Sequence, residues 1–477
     1  MIHYKISRRK EMKKKIISAL LACTLVSTVL VGCTGNESGG TTTETSAAGE
    51  TSAAGEEAAG ETAGEEVAAP SGEEVTLKFS WWGSDARHEA MEKVAELYTA
   101  ENPNVTIEVE YGAWDGWQAK MLTQLSGKTE ADIMQVNYNW VHSFGKGQNV
   151  FYNLSELSDY LELGNWDTDY LKAMEVSGEQ AAVPHGMTGR VQLYYKTLFE
   201  ENSLEFPATY EEAIAAAAVI GADNTPTGAD NKYVAMNVGK ECTDLYIAQM
   251  LYNMTGKVMQ ENGTINYTED EVKTALELYK EMEDAGVMPT FAQDDPIQNE
   301  SNPVWTNGLV GSVYEWAGTL DKYTAAFKGG EAVEELGIAP YVTETADQQP
   351  NVYVKPNLGY AISKNSENPA VAADFINFMF TNEEAVKALG TTLGISSNTV
   401  TYDIQVKEEM LDGAVKEAYD VLDTYAQTVM DPYFEDENVR GKRFTVIEAF
   451  RTGAMDSSEA AAQYISTQQE ELSKLYE

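Results

Sequence analysis

The sequence predicts an α/β fold built on a largely parallel sheet, and three observations predict it. Residues 75–82 (VTLKFSWW), 105–111 (VTIEVEY) and 131–136 (ADIMQV) read as strands bounded by turn-forming residues. The segments between them carry apolar residues at helical spacing, and strand–helix–strand–helix–strand order is that of a parallel sheet covered by helices. The length, 477 residues, is enough for two or three domains with a large core.

Each element has its own warrant. In the first strand Val75, Leu77, Phe79 and Trp81 share one face and Trp82 takes the other. The helix after it has a stripe of Met91, Val94, Ala95 and Tyr98 and stops at Asn102-Pro103. The next carries Met121, Leu122 and Leu125. Downstream, Thr209 with Glu212, Thr268 with Glu271, and Thr381 with Glu384 have capping-box spacing. Pro369 suits a first helical position ahead of Ala372, Phe375, Ile376 and Met379. An amphipathic helix from Ser457 to Leu475 ends the chain's helical last third.

The N-terminus reads as a targeting segment. Arg8, Arg9, Lys10, Lys13, Lys14 and Lys15 precede an apolar stretch from Ile16 to Gly32, which is short for a spanning helix. It closes on Leu30-Val31-Gly32-Cys33, which is similar to the lipobox of bacterial lipoproteins. That resemblance implies a signal peptide over 1–32 and a diacylglyceryl group on Cys33, holding the chain at a membrane. Residues 33–74, almost wholly Thr, Ser, Ala, Gly and Glu, are expected to form a disordered acidic tether.

Composition excludes several functions. The chain has 33 Lys+Arg against 76 Asp+Glu, a net charge of −43, which argues against nucleic acid and for a soluble monomer. Of three cysteines, Cys23 leaves with the signal and Cys33 is the lipid site, so Cys242 stands alone and no disulfide is expected. The four histidines lack zinc spacing, and there is neither a phosphate-cradling loop nor a Gly-x-Ser-x-Gly elbow. The oxygen-rich stretch 222–233 reads as a turn, because its spacing is not that of an EF-hand. No metal, cofactor or catalytic residue is therefore expected.

Four stretches together resemble the extracellular solute-binding proteins (family 1) of carbohydrate ABC transporters. They are FSWWGSDARHEA with the segment through QVNYNW, then AAVPHGMTGRVQLYYKTLFEENSLEFPATYEEA, WTNGLVGSVYEWAGTL, and NLGYAISKNSENPAVAADFINFMF through LGIS. The first is most similar to a subgroup that includes oligogalacturonide-binding proteins. Tyr195, Tyr210 and Ser396 depart from the family pattern at packing and hinge positions. The resemblance implies two α/β lobes, each a mostly parallel sheet, with ligand between them: 75–186 plus 362–397, and 188–360 plus 400–477. With the lipobox, this places a lipid-anchored receptor on the outer face of the cytoplasmic membrane, and the long acidic tether after the lipobox suggests a Gram-positive surface. Such a receptor captures an oligosaccharide, neutral or uronate-containing, and delivers it to ABC permease subunits.

Candidate ligand-binding residues gather where strands hand over to helices, because ligands of open parallel sheets bind beyond the strands' carboxyl ends. Trp82 offers a stacking ring, Asp85 and Arg87 two-pronged hydrogen bonds, and His88 a further polar group. Trp114 or Trp117 supplies a second ring, and Asn137, Asn139 and Trp140 follow the third strand. The resemblance adds His185 and Arg190 at a crossover, and Glu315 and Trp316 on the second lobe, with Trp305 as a packing residue or a further ring. Arg190 equally suits an ion pair across the hinge. The alternatives are a surface glycoside hydrolase, which needs two carboxylates at set separation, and a receptor for a non-sugar solute.

Overall fold

The first strand, β1 (Val75–Trp82), pairs in parallel with β2 (Val105–Gly112) along its whole length, and with β3 (Ile133–Val136) on its other side. Helices α1 (Asp85–Glu101) and α2 (Trp117–Gly127) make the connections, and α3 (Tyr138–Gly145) follows β3. All of these but α3 are the elements that alternation and helical spacing predict. The computed structural model describes residues 73–146, 149–226, 228–294, 297–329 and 335–476, all within a unit spanning Glu66–Glu477. The expected signal peptide, Cys33 and all but the last two residues of the tether lie outside the described residues.

Later elements extend the same sheet. They are β4 (Val183–Tyr195), α4 (Gly239–Thr255), β5 (Ser312–Trp316), β6 (Leu336–Ala339), β7 (Asn351–Ile362), α5 (Pro369–Thr381), α6 (Gly413–Leu422), β8 (Ala426–Val429), α7 (Glu437–Arg451) and α8 (Ser457–Tyr476). The strand order is β6-β4-β7-β3-β1-β2, with β5 also on β4 and β8 on β7. The α/β class stands, but the strand directions are mixed rather than mostly parallel. β4 is antiparallel to β5, β6 and β7, and β7 to β3. The reason is that β4 and β7, 13 and 12 residues long, pair antiparallel over Val183–Gly189 and Val354–Tyr360, while β4 goes on to pair antiparallel with β5 and β6. An antiparallel pair needs no helical crossover of its own.

Two hydrophobic cores form on this one sheet. The first joins Phe79, Trp81, Ile133, Tyr360, Phe375 and Phe380; the second joins Leu193, Met236, Ile247, Leu276, Trp305 and Tyr464. β4 feeds both, Val183 entering the first core and Val191 and Leu193 the second. Trp305 is fully buried, so packing is its role.

Local chemistry sets the helix ends. Capping boxes form at Thr209 with Glu212 and at Thr268 with Glu271. The third expected box does not: α5 continues through Thr381, whose hydroxyl donates back to Asn377 O at 2.8 Å. Asn382 caps the next helix instead, accepting from the backbone N–H groups of Glu384 and Ala385. In the 222–233 turn, the Asn224 and Asn231 side chains bond the backbone across it.

Candidate ligand-binding site

Alternation along β1 separates its two tryptophans. Trp81 goes into the first core, where its indole N–H donates to His88 Nδ1 at 3.0 Å. His88 in turn stacks on Tyr111, centroids 4.2 Å apart and planes 22° from parallel. This corrects the reading of His88 as a ligand-binding group: its Nδ1 already accepts a hydrogen bond, and its face is covered.

Trp82 leaves the other way and meets two more rings. Its centroid lies 5.3 Å from Trp114 and 5.0 Å from Trp140, and those two stack with centroids 5.0 Å apart and 13° between planes. Trp140 and Trp82 are buried, whereas Trp114 is 48% exposed. Trp117 is buried too, so Trp114 is the ring of that pair that stays open. Trp82 and Trp140 thus support Trp114 from below, a correction to their reading as contact rings. Asn137 and Asn139 start α3 beside them, both partly exposed; Asn137 Oδ1 is buried without a hydrogen-bond partner among the described residues.

A polar group sits at the same strand ends. Gly83 lets the Arg87 side chain fold back over β1: a Cβ there would lie 2.5 Å from Arg87 Cδ. The guanidinium donates to Trp82 O at 3.1 Å and to Thr392 O at 3.2 Å. Gln135 Nε2 shares the Trp82 carbonyl at 3.3 Å. Arg87 Nε, Gln135 Oε1 and the Tyr360 hydroxyl are buried without hydrogen-bond partners among the described residues. His185 lies alongside, and burial, then the Arg87 charge, hold its pKa down to about 3, so the ring is neutral. It is buried against Phe380, and among the described residues neither ring nitrogen has a side-chain or backbone partner in hydrogen-bond geometry. Asp85 is exposed as the first residue of α1, with Ser84 before it at the cap position.

The second core contributes Trp316, at the end of β5 and directly opposite Arg190 on β4. Arg190 Cζ lies 4.6 Å from the ring centroid and Lys355 Nζ 4.4 Å, both within cation–π range. The cations are matched by acids: Arg190 to Glu241 at 3.0 Å and to Glu315 at 3.4 Å, and Lys355 to Glu435. Glu315 also accepts from the Tyr323 hydroxyl at 2.7 Å and from the Trp316 backbone N–H. Arg190 and Glu315 are therefore buried partners of one another, which corrects their reading as ligand contacts. Trp316 remains partly exposed. Beside them, burial pushes the Cys242 thiol up, so it stays protonated.

Three segments join the two cores. β4 and β7 shift register where they pass between them, leaving His185 and Asn357 outside the pairing. Asn357 ties the segments together: its Oδ1 accepts from Gly186 N at 3.1 Å and its Nδ2 donates to Leu393 O at 2.7 Å. His185 O accepts from Ser397 N at 2.8 Å. Tyr360, in the Arg87 cluster, and Lys355, at Trp316, are five residues apart on β7, a separation of about 17 Å. Away from these crossings, the Tyr138 hydroxyl of α3 donates to Met430 O at 2.8 Å, a few residues before Glu435.

Sequence reasoning missed Gln135, Glu241, Lys355, Asn357 and Tyr360. The one available signal was Lys355, a charge inside the apolar run NVYVKPNLGYAI, where only a paired or functional lysine is tolerated.

Comparison with known proteins gives one consistent result. A family model described as bacterial extracellular solute-binding protein matches residues 83–386. A putative binding protein of Brucella abortus is 26% identical over 306 residues, which is 62% of this chain and 69% of that one. The crystal structure of a periplasmic solute-binding protein from Pectobacterium atrosepticum is 26% identical with a TM-score of 0.78, covering 84% of this chain and 100% of its own. A periplasmic oligogalacturonide-binding protein from Yersinia enterocolitica, in complex with saturated digalacturonic acid, is 25% identical with a TM-score of 0.75, covering 85% and 100%.

Proposed function

Since this chain belongs to the bacterial extracellular solute-binding protein family, we propose that it captures an oligosaccharide between two lobes and passes it to the membrane permease of an ABC importer. The observation that carries the reading is the Trp114 ring, exposed but braced from below by Trp140 and Trp82. An exposed indole is ordinarily a liability, and one held rigid by two buried indoles suits the weakly apolar face of a pyranose. Trp316 is the second platform, and Asn137, Asn139 and Asp85 supply donors and acceptors for hydroxyl groups.

The two cores, 75–186 plus 362–397 and 188–360 plus 400–477, act as the lobes. Sugar bridging Trp114 and Trp316 stabilises the closed state, a population shift set by its greater affinity for that state. The crossings at Gly186, Asn357 and residues 393–397 bend. The monomeric chain is tethered by lipid on Cys33 to the outer face of the membrane. Similar proteins include a periplasmic oligogalacturonide-binding protein, which supports a sugar ligand.

Titrating the purified protein with oligosaccharides while following tryptophan fluorescence and product formation tests this. Saturable quenching with the sugar returned intact is the expected result. Release of shorter sugars would replace the receptor reading with a hydrolase. Absence of binding across a broad sugar panel, with other solutes bound, would replace the ligand class.

A further inference from the structure

The start of α3 faces two ways. Asn137 and Asn139 flank Tyr138 in sequence, and Trp140 braces the exposed Trp114 ring, yet the Tyr138 side chain leaves that site for the other core. Tyr138 is part of the first core and Met430 of the second. The Tyr138 hydroxyl donates to Met430 O at 2.8 Å, and both residues are buried. Burial pushes its pKa well above the ordinary tyrosine value, so the hydroxyl stays a donor.

The contact continues along the helix. His142, one turn on, meets the Tyr433 ring edge-on, with centroids 6.3 Å apart and planes at 71°. Lys146, at the cap position after α3, donates to Leu475 O and lies 5.5 Å from the Tyr476 ring centroid at the end of α8. Residues four apart share a helix face, so 138, 142 and 146 form a stripe about 12 Å long.

Each side of the contact is fixed in its own core. His142 Nε2 donates to Ala173 O at 2.9 Å, and Trp140 is stacked in the indole cluster. Across from them, Met430 N donates to Val354 O at 2.8 Å. Asp431 accepts from Gln260 Nε2 at 2.8 Å, from the Tyr433 N–H at 2.9 Å and from the Tyr476 hydroxyl at 2.8 Å. The same segment runs on to Glu435, the partner of the Lys355 ammonium that lies over Trp316. The contact therefore joins the flank of the Trp114 platform to the flank of the Trp316 platform, and every member of it is a protein group.

Resting on the reading of the two cores as lobes that close on a sugar, we propose that this face of α3 is a clasp, through which the chain favours its own closed state. Opening the lobes parts the Tyr138 hydroxyl from the Met430 carbonyl, and each then has to find water. A receptor whose competent state is populated in advance binds more tightly in proportion to that population. Tyr138 is thus a positioning residue: it sets sugar affinity without touching the sugar.

Small-angle scattering of the sugar-free full chain is the first test. Tyr138→Phe keeps the ring and removes the donor, and Lys146→Ala cuts the far end of the stripe. Each variant is expected to have a larger radius of gyration than the wild type, the double variant the largest, with melting temperatures within about 4 °C of it. The second test is titration with maltotriose, cellotriose, mannotriose and trigalacturonate, followed by tryptophan fluorescence. The sugar that binds the wild type is expected to bind Tyr138→Phe about three- to tenfold more weakly, through faster release rather than slower capture. Scattering unchanged in all the variants would overturn the clasp, whether or not stability is lost, and would leave sugar capture intact. Should none of the sugars bind, sugar capture falls, and the scattering still decides whether α3 clasps the two cores.

Discussion

Trp114 and Trp140 stack with 13° between their planes, yet the first is 48% exposed and the second 2%. One ring is the surface of the site and the other its foundation, so the same substitution should have different consequences at each. Trp114→Ala is expected to weaken sugar binding about tenfold or more and leave the melting temperature nearly unchanged. Trp140→Ala should cost about 3–5 kcal/mol of stability, the usual loss for a large ring removed from a packed core. Calorimetric titration and thermal unfolding on both variants check this; equal destabilisation would refute the division of roles.

The crossing of β4 depends on a glycine. A Cβ on Gly186 would lie 2.2 Å from the carbonyl oxygen of Ile395, backbone against backbone, with no flexible side chain to give way. Gly186→Ala is expected to push the 393–397 segment outward, breaking the Asn357 ties. The variant should melt lower and change its small-angle scattering response to sugar. A variant with wild-type stability and an unaltered scattering change on ligand addition would show that the crossing tolerates displacement.

The second core hides an ion pair. Arg443 and Asp244 are buried, with Nε 2.8 and 2.9 Å from the two carboxylate oxygens, and burial raises the Asp244 pKa against the pull of Arg443. Removing one partner leaves a charge with no solvent to take it. Asp244→Ala should therefore lose roughly 3–5 kcal/mol in denaturant titration, while a double replacement by apolar residues of similar volume should recover most of it. If the single and double variants were equally unstable, packing rather than charge would be the cause.

His185 makes a pH prediction with a definite sign. Its folded pKa is about 3 against an ordinary 6.5, so between those values the unfolded chain binds a proton that the folded chain refuses. Its contribution is complete above about pH 6.5 and is lost as pH falls toward 3, at up to about 1.4 kcal/mol per unit. Urea titrations of the wild type and His185→Gln at pH 7 and pH 4.5 isolate it from the many carboxylates. The stability gap between them should shift against the wild type by roughly 2–3 kcal/mol at the lower pH. A constant gap would mean that the imidazole takes up its proton inside the fold.

The local rules succeeded where the cause was local. β1 reads from its alternation, α1 from its stripe and its Asn-Pro stop, and two capping boxes from Thr-x-x-Glu spacing. The third box failed because Thr381 is still the last residue of α5 and Asn382, one position on, caps the next helix instead. The sheet's mixed directions were hidden for a similar reason: the paired residues of β4 and β7 lie 165 positions apart for Gly189 with Val354 and 177 for Val183 with Tyr360, and no local pattern records their relative direction.

Taken alone, the chain's residues determined that three strands of an α/β sheet would end in tryptophans and polar groups, since side-chain period and turn chemistry act over a few positions. Tertiary structure decided which indole stays exposed, that Arg190 and Glu315 hold each other, and that Arg87 finds carbonyls instead of a carboxylate. Those outcomes depend on partners such as Glu241, 51 positions from Arg190, and Thr392, 305 positions from Arg87. Charge pairing and burial are settled by proximity in space, and proximity across such separations exists only once the chain has folded.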